Sequence, residues 1–190
     1  MQMKDTCAVI TGGASGLGEA TARLFAESGA KVTLLDRNAE LGEKVAADLG
    51  GTFVETDVSN EASVQNAMQA AVAAMGKINT AVNCAGIGTA EKTLNKNGAH
   101  SLEHYQRIIN INLLGSFNVA PLPPPEPAKH DPSDHNKRAV IITHAPAPAF
   151  HGSLRPVPYP PSPRALPAPS PAMPSPLGRS RPPVLPTPPA

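Results

Sequence analysis

An α/β fold built on a doubly wound parallel sheet is predicted for this 190-residue chain by three observations. Short apolar runs and helical patterns alternate four times across residues 1–120, the rhythm of strand–helix–strand units that line up in parallel. The first run ends in a glycine-rich turn that opens a helix, Thr11-Gly12-Gly13-Ala14-Ser15-Gly16-Leu17-Gly18. All 23 prolines fall after residue 120, so the patterned part is free of the residue that breaks helices and central strands.

The first strand is Cys7 to Thr11, continuously apolar up to its turn as a strand buried on both faces would be. A helix follows from Gly16 to Ser28, with Leu17, Ala20, Leu24 and Phe25 at helical spacing and Gly29 as its stop. Lys31–Asp36 is the second strand, Ala39–Leu49 the second helix and Thr52–Asp57 the third strand. Ser59 or Asn60 can cap the next helix, whose apolar face is Val64, Met68, Ala71, Val72 and Met75. Ile78–Asn83 is the fourth strand and runs into Cys84-Ala85-Gly86.

A polar stretch from Ile87 to His100 reads as a long loop. The helix from Leu102 to Ala120 carries Tyr105, Ile108, Ile109, Leu113 and Phe117, and Pro121 ends it. Beyond it only residues 139–143 look like a strand. The expected organisation is a nucleotide-binding half over 1–120, a degraded continuation over 121–155 and an irregular proline-rich segment over 156–190.

Composition excludes more than it selects. A net charge of +1 with scattered basic residues gives no electrostatic case for nucleic acid. No apolar run is long enough to span a membrane, and Met1 to Asp5 is too short and polar for a leader. Cys7 and Cys84 sit inside apolar runs, as reduced buried thiols do. The expected setting is cytoplasmic, or the mitochondrial matrix in a eukaryote. The six histidines offer one pair at helical spacing, His100 and His104, too few for a metal site, so no metal is expected. Pro160 and Pro163 have the spacing of an SH3-type ligand, but such spacings arise by chance at this proline density.

The glycine turn carries the chemistry. Gly12 allows a tight turn, and Gly16 and Gly18 let a pyrophosphate approach the free N–H groups of a helix N-terminus. Asp36, 18 residues past Gly18 at the end of the second strand, can bind both hydroxyls of an adenosine ribose and repels a 2′-phosphate. That combination favours NAD over NADP, with the neighbouring Arg37 as the one feature pointing the other way, and marks the sheet as Rossmann-like.

These residues resemble the short-chain dehydrogenase/reductase family. Thr11-Gly12 with Gly16 and Gly18 is similar to its cofactor signature, and Asn83-Cys84-Ala85-Gly86 to its turn after the fourth strand. Asp57-Val58 looks like its adenine-contacting pair and Asn112 like its active-site asparagine. Within the family the chain is most similar to the type-2 3-hydroxyacyl-CoA dehydrogenases, through Ala81 to Ile87, the Lys92-to-His100 insertion and Gly115 to Val119.

The resemblance implies hydride transfer between NAD and a 3-hydroxyacyl-CoA or a similar secondary alcohol, in a homo-tetramer. It assigns Gly12, Ser15, Gly16, Leu17 and Gly18 to the pyrophosphate and Asp36 to the ribose. Asp57 and Val58 go to the adenine, Cys84 and Gly86 to the nicotinamide side, and Asn112 and Tyr159 to the catalytic centre. The family sets a serine thirteen residues before its tyrosine and a lysine four after it. Those positions are Pro146 and Pro163 here. The chain also ends well short of a typical member, so the expected fold is a truncated one. Two alternatives follow: a non-catalytic NAD-binding remnant, or a proline-rich interaction protein.

Overall fold

The computed structural model describes residues 2–88, 101–120 and 139–144 and, for their backbone alone, strands at 94–95, 98–99 and 184–187. The order is β1 (Cys7–Thr11), α1 (Gly16–Glu27), β2 (Lys31–Asp36), α2 (Ala39–Leu49), β3 (Thr52–Glu55), α3 (Glu61–Met75) and β4 (Thr80–Asn83). A short antiparallel hairpin, β5 (Leu94–Asn95) and β6 (Gly98–Ala99), precedes α4 (Leu102–Ile108). That helix continues through a π-helical stretch (Ile109–Leu114) into α5 (Gly115–Val119). β7 (Val140–His144) and β8 (Val184–Thr187) complete the sheet.

Six strands lie in the order β3-β2-β1-β4-β7-β8, every pair parallel. The chain winds outward from β1 to β3 and returns to β4 on the other side of β1. This reversal opens a crevice beyond the carboxyl ends of β1 and β4, where doubly wound sheets take their ligands.

Alternation along β1 sorts the core into two layers. Cys7 and Val9 pack with Val64, Ala67, Met68 and Val119 on the α3–α5 face. Ala8 and Ile10 pack with Ala22, Val45 and Ala46 on the α1–α2 face. Asn79 pins the start of the sheet: its Oδ1 accepts from Cys7 N at 2.8 Å and its Nδ2 donates to the Asp5 carbonyl at 2.8 Å.

Several expectations are corrected. The apolar spacing of α1 marks its buried face only in part: Phe25 packs against the core, but Leu17 and Leu24 are 59% and 61% exposed, and the fully buried positions are Gly18 and Ala22. Small residues win there because the helix backbone comes against the Gly12 turn, leaving no room for large ones. β3 ends at Glu55 rather than Asp57, because Asp57 turns to bind Ser59. Asn60, not Ser59, caps α3, its side chain accepting from Ser63 N at 2.9 Å. β4 begins at Thr80 rather than Ile78. The polar stretch before α4 contains the β5–β6 hairpin. The 102–120 helix is not uniformly α-helical; Ile108 is buried, while Leu114 and Phe117 are exposed.

The segment 156–190 is not irregular throughout, since 184–187 form β8 at the edge of the sheet. β8 is the outermost of the described strands, a position where a sheet tolerates a proline such as Pro186.

Candidate nucleotide-binding site

The turn after β1 is held from two sides. From β2, the Leu35 carbonyl accepts from Gly12 N at 2.8 Å, and Asp36 Oδ2 accepts from Ala14 N at 3.1 Å. From β1 itself, Thr11 Oγ1 accepts from both Cys84 N at 3.1 Å and Ala85 N at 3.0 Å, tying the turn after β4 against the glycine turn. Gly12, at φ +68°, lies so close that a Cβ there would stand 2.9 Å from Ala85 N. A Cβ on Gly18 would overlap the Gly12 carbonyl oxygen. The two turns and the first turn of α1 therefore form one packed unit, and side chains at either glycine would pry it open.

Thr11 opens the sequence motif, but its double acceptance across to the turn after β4 is invisible until the parallel register Thr11↔Asn83 is known. Thr11→Val leaves two partly buried amides without an acceptor. A loss of about 1–3 kcal/mol in urea unfolding is expected, with Thr11→Ser close to the parent.

The N-terminus of α1 faces the crevice with its donors uncommitted to a side-chain cap. Ser15 stands at the N-cap position and makes no such bond. The first helical bond is donated by Glu19 to the Ser15 carbonyl, so the amides of Gly16, Leu17 and Gly18 precede it. Gly16 has φ +55°, and a Cβ on it would meet nothing within 4 Å. That opening and those donors suit a phosphate group. Exposed Leu17 stands beside them.

Asp36 closes the next part of the site. Its Oδ1 accepts from Asn38 N at 3.0 Å while Oδ2 holds Ala14. Both oxygens keep a lone pair for a ligand hydroxyl. Beyond it, Asp57 Oδ1 accepts from Ser59 N at 2.9 Å and from Ser59 Oγ at 2.6 Å. The Ser59 hydroxyl, more than the cations of Arg37 and Arg107, holds the Asp57 carboxyl below the usual carboxylate range, so it is ionised at neutral pH. Arg37 Nε lies 4.0 Å from Asp57 Oδ2. A polar cleft of about 420 Å³ runs from Arg37, Asp57 and Ser59 to Arg107 and Ile111.

Val58 is buried in the core against Gly115, and its carbonyl accepts from Asn118 Nδ2 at 2.9 Å. Its side chain is thus a structural member of the site's floor. Cys84 contributes through its backbone; its thiol packs with the α1-side cluster, where burial pushes its pKa up and a hydrogen bond with Thr21 partly offsets that.

Asn112 lies in the π-helical stretch and grips Ile87 at both ends of its amide. Oδ1 accepts from Ile87 N at 2.9 Å and Nδ2 donates to the Ile87 carbonyl at 2.9 Å. Gly86 passes directly over this clamp, its Cβ position 3.4 Å from Asn112 Oδ1. Asn112 therefore fixes the exit of the turn after β4. Tyr159 lies outside the described residues, as do positions 146 and 163. Among the described residues no cluster of ligating side chains could hold a metal ion, and no helix is long and apolar enough to cross a membrane.

Comparison with known proteins agrees with this geometry. Residues 6–131 match the family model for short chain dehydrogenase. The 3-hydroxyacyl-CoA dehydrogenases type-2 of Drosophila melanogaster and of Homo sapiens are each 44% identical over 156 residues, 80% of this chain and 61% and 60% of theirs. The type-2 enzyme structure from Mycobacterium avium matches with a TM-score of 0.70 at 32% identity, covering 78% of this chain and 59% of that one. A 3-ketoacyl-(acyl-carrier-protein) reductase from Brucella melitensis, complexed with NADH, gives 0.67 at 30% identity, covering 80% and 62%. The chain spans about three fifths of the length of these relatives.

Proposed function

The chain belongs to the short-chain dehydrogenase family, and from that premise we propose that it is an NAD(H)-dependent oxidoreductase acting on a 3-hydroxyacyl-CoA or a similar secondary alcohol. The carrying observation is the packed unit of Gly12, Gly18 and the 84–85 turn, with an open helix N-terminus on one side and Asp36 on the other. The amides of Gly16, Leu17 and Gly18 would hold the pyrophosphate, Asp36 the ribose hydroxyls, and Asp57 the adenine above the floor that Val58 makes. The Cys84-to-Gly86 turn, fixed by Thr11 and Asn112, would back the nicotinamide side. NAD held there would supply the hydride acceptor for oxidation of the alcohol.

A specific observation favours a second reading, in which the chain binds NAD(H) without turning over. A phenol near pKa 10 is a poor base at neutral pH unless a cation stands beside it, and Pro163 occupies the position of the family's lysine relative to Tyr159. Titration with NADH followed by nucleotide fluorescence, then an acetoacetyl-CoA reduction assay on the same sample, separates the two. Binding with turnover supports the enzyme, and binding without turnover supports the second reading. Absence of NADH binding overturns both.

A further inference from the structure

Ser116 joins the clamp on Ile87 to the end of the sheet. It stands one turn beyond Asn112, in α5, and its Oγ donates to the Asn112 carbonyl at 2.8 Å. Its own carbonyl faces β4: Asn83 Nδ2 approaches it at 3.4 Å and lies 3.5 Å from Thr143 Oγ1 in β7. The same turn is fastened to the β3–α3 connection. Gly115 packs so closely there that a Cβ on it would stand 2.7 Å from Val58 Cγ2, and Asn118 Nδ2 donates to the Val58 carbonyl at 2.9 Å. The start of α5 is thus seated from two directions before Ser116 reaches back to Asn112.

Asn112 itself lies in the π-helical stretch, where the Gly115 amide donates to the Asn110 carbonyl. Such wide turns are rare and gather at functional sites. A hydroxyl that bonds back to a carbonyl one turn earlier as a rule weakens a helix slightly, and serine is a poorer helix former than alanine. Local helix stability therefore does not account for Ser116. What it holds is the carbonyl of the residue whose amide grips Ile87 at both ends. We propose that Ser116 is a positioning residue for the turn after β4: it sets the angle at which the Asn112 amide meets Ile87, and so where Gly86 and the 84–86 turn lie. The amide donates and accepts at 2.9 Å on its two sides, a geometry that tolerates little rotation. The effect on the cofactor rests on reading that turn as the backing of the nicotinamide side; the coupling of Ser116 to Ile87 does not.

Amide hydrogen exchange and NADH titration on the full chain test the two steps separately. Rates at Ile87 are read relative to Val9 and Leu34, whose core strands gauge global unfolding. In Ser116→Ala the Ile87 amide should exchange about three- to tenfold faster, and NADH affinity should fall by about the same factor. Ser116→Thr keeps the hydroxyl and should recover both. A purely local helical role predicts the opposite sign, since alanine would firm the helix and leave Ile87 at least as protected. Unchanged or slower Ile87 exchange in Ser116→Ala overturns the proposal, as does Ile87 exchange in Ser116→Thr as fast as in Ser116→Ala. Faster Ile87 exchange with unaltered NADH affinity, in a parent that binds NADH, overturns the positioning role. If the parent binds no NADH the cofactor reading fails, and the Ile87 rates alone decide whether Ser116 governs the turn.

Discussion

Gly18→Ala is expected to lower NADH affinity by more than about tenfold and to cost about 1–3 kcal/mol of stability, the range for forcing extra volume into a packed site. The overlap is with backbone: the Gly12 carbonyl oxygen first, then the Gly13 amide at 3.1 Å. Backbone atoms cannot rotate aside as a flexible side chain can. The turn must lift, and lifting it separates Gly12 from the 84–85 turn, which approaches within 2.9 Å of its Cβ position. Gly16→Ala is the informative contrast, since its Cβ enters open space at φ +55°. Its stability loss is the backbone cost alone, about 1–2 kcal/mol, yet its methyl group would stand where the phosphate approaches. Urea unfolding and NADH titration on both variants decide the matter. Unimpaired NADH binding by Gly16→Ala would show that the opening is not the cofactor cradle.

Asp36→Ala should weaken NADH by about 10- to 100-fold, from loss of charge-assisted hydrogen bonds worth about 1.5–3 kcal/mol. Two effects act together. The ribose loses its acceptor, and Ala14 N loses the carboxylate that pins the glycine turn. The second effect can be isolated with NADPH. Removing the negative charge also removes its repulsion of a 2′-phosphate, and Arg37 next to it is 65% exposed at its side chain. The affinity ratio of NADH to NADPH should therefore fall further than the NADH affinity alone would suggest for a general loosening. Equal losses for both nucleotides would mean that Asp36 acts only through the turn.

Local chemistry made the first 120 residues legible. Strand β2 and helix α2 stand where their apolar spacing and the Gly50 stop place them. The glycine turn and the acid 18 residues beyond it could be recognised because backbone clearance and carboxylate chemistry are properties of those residue types. Misplaced features were of another kind. The fully buried positions of α1 are Gly18 and Ala22, whose smallness is what packing demanded and which carry little hydrophobic signal. The π-helical stretch at Ile109–Leu114 leaves no sequence pattern distinct from an α-helix.

The sequence by itself determined the parallel α/β architecture, the family and the residue types of the nucleotide site, because periodicity, glycine and charge are written residue by residue. Tertiary structure alone decided how those residues are used. Thr11 holds the turn after β4 only because β1 and β4 are neighbours in register. Asn112 grips Ile87 across 25 positions of chain, and Pro186 sits in a strand that stands outermost among the described strands. Each depends on which distant segment arrives alongside, and that is fixed by the packing of the whole sheet rather than by any local run of residues.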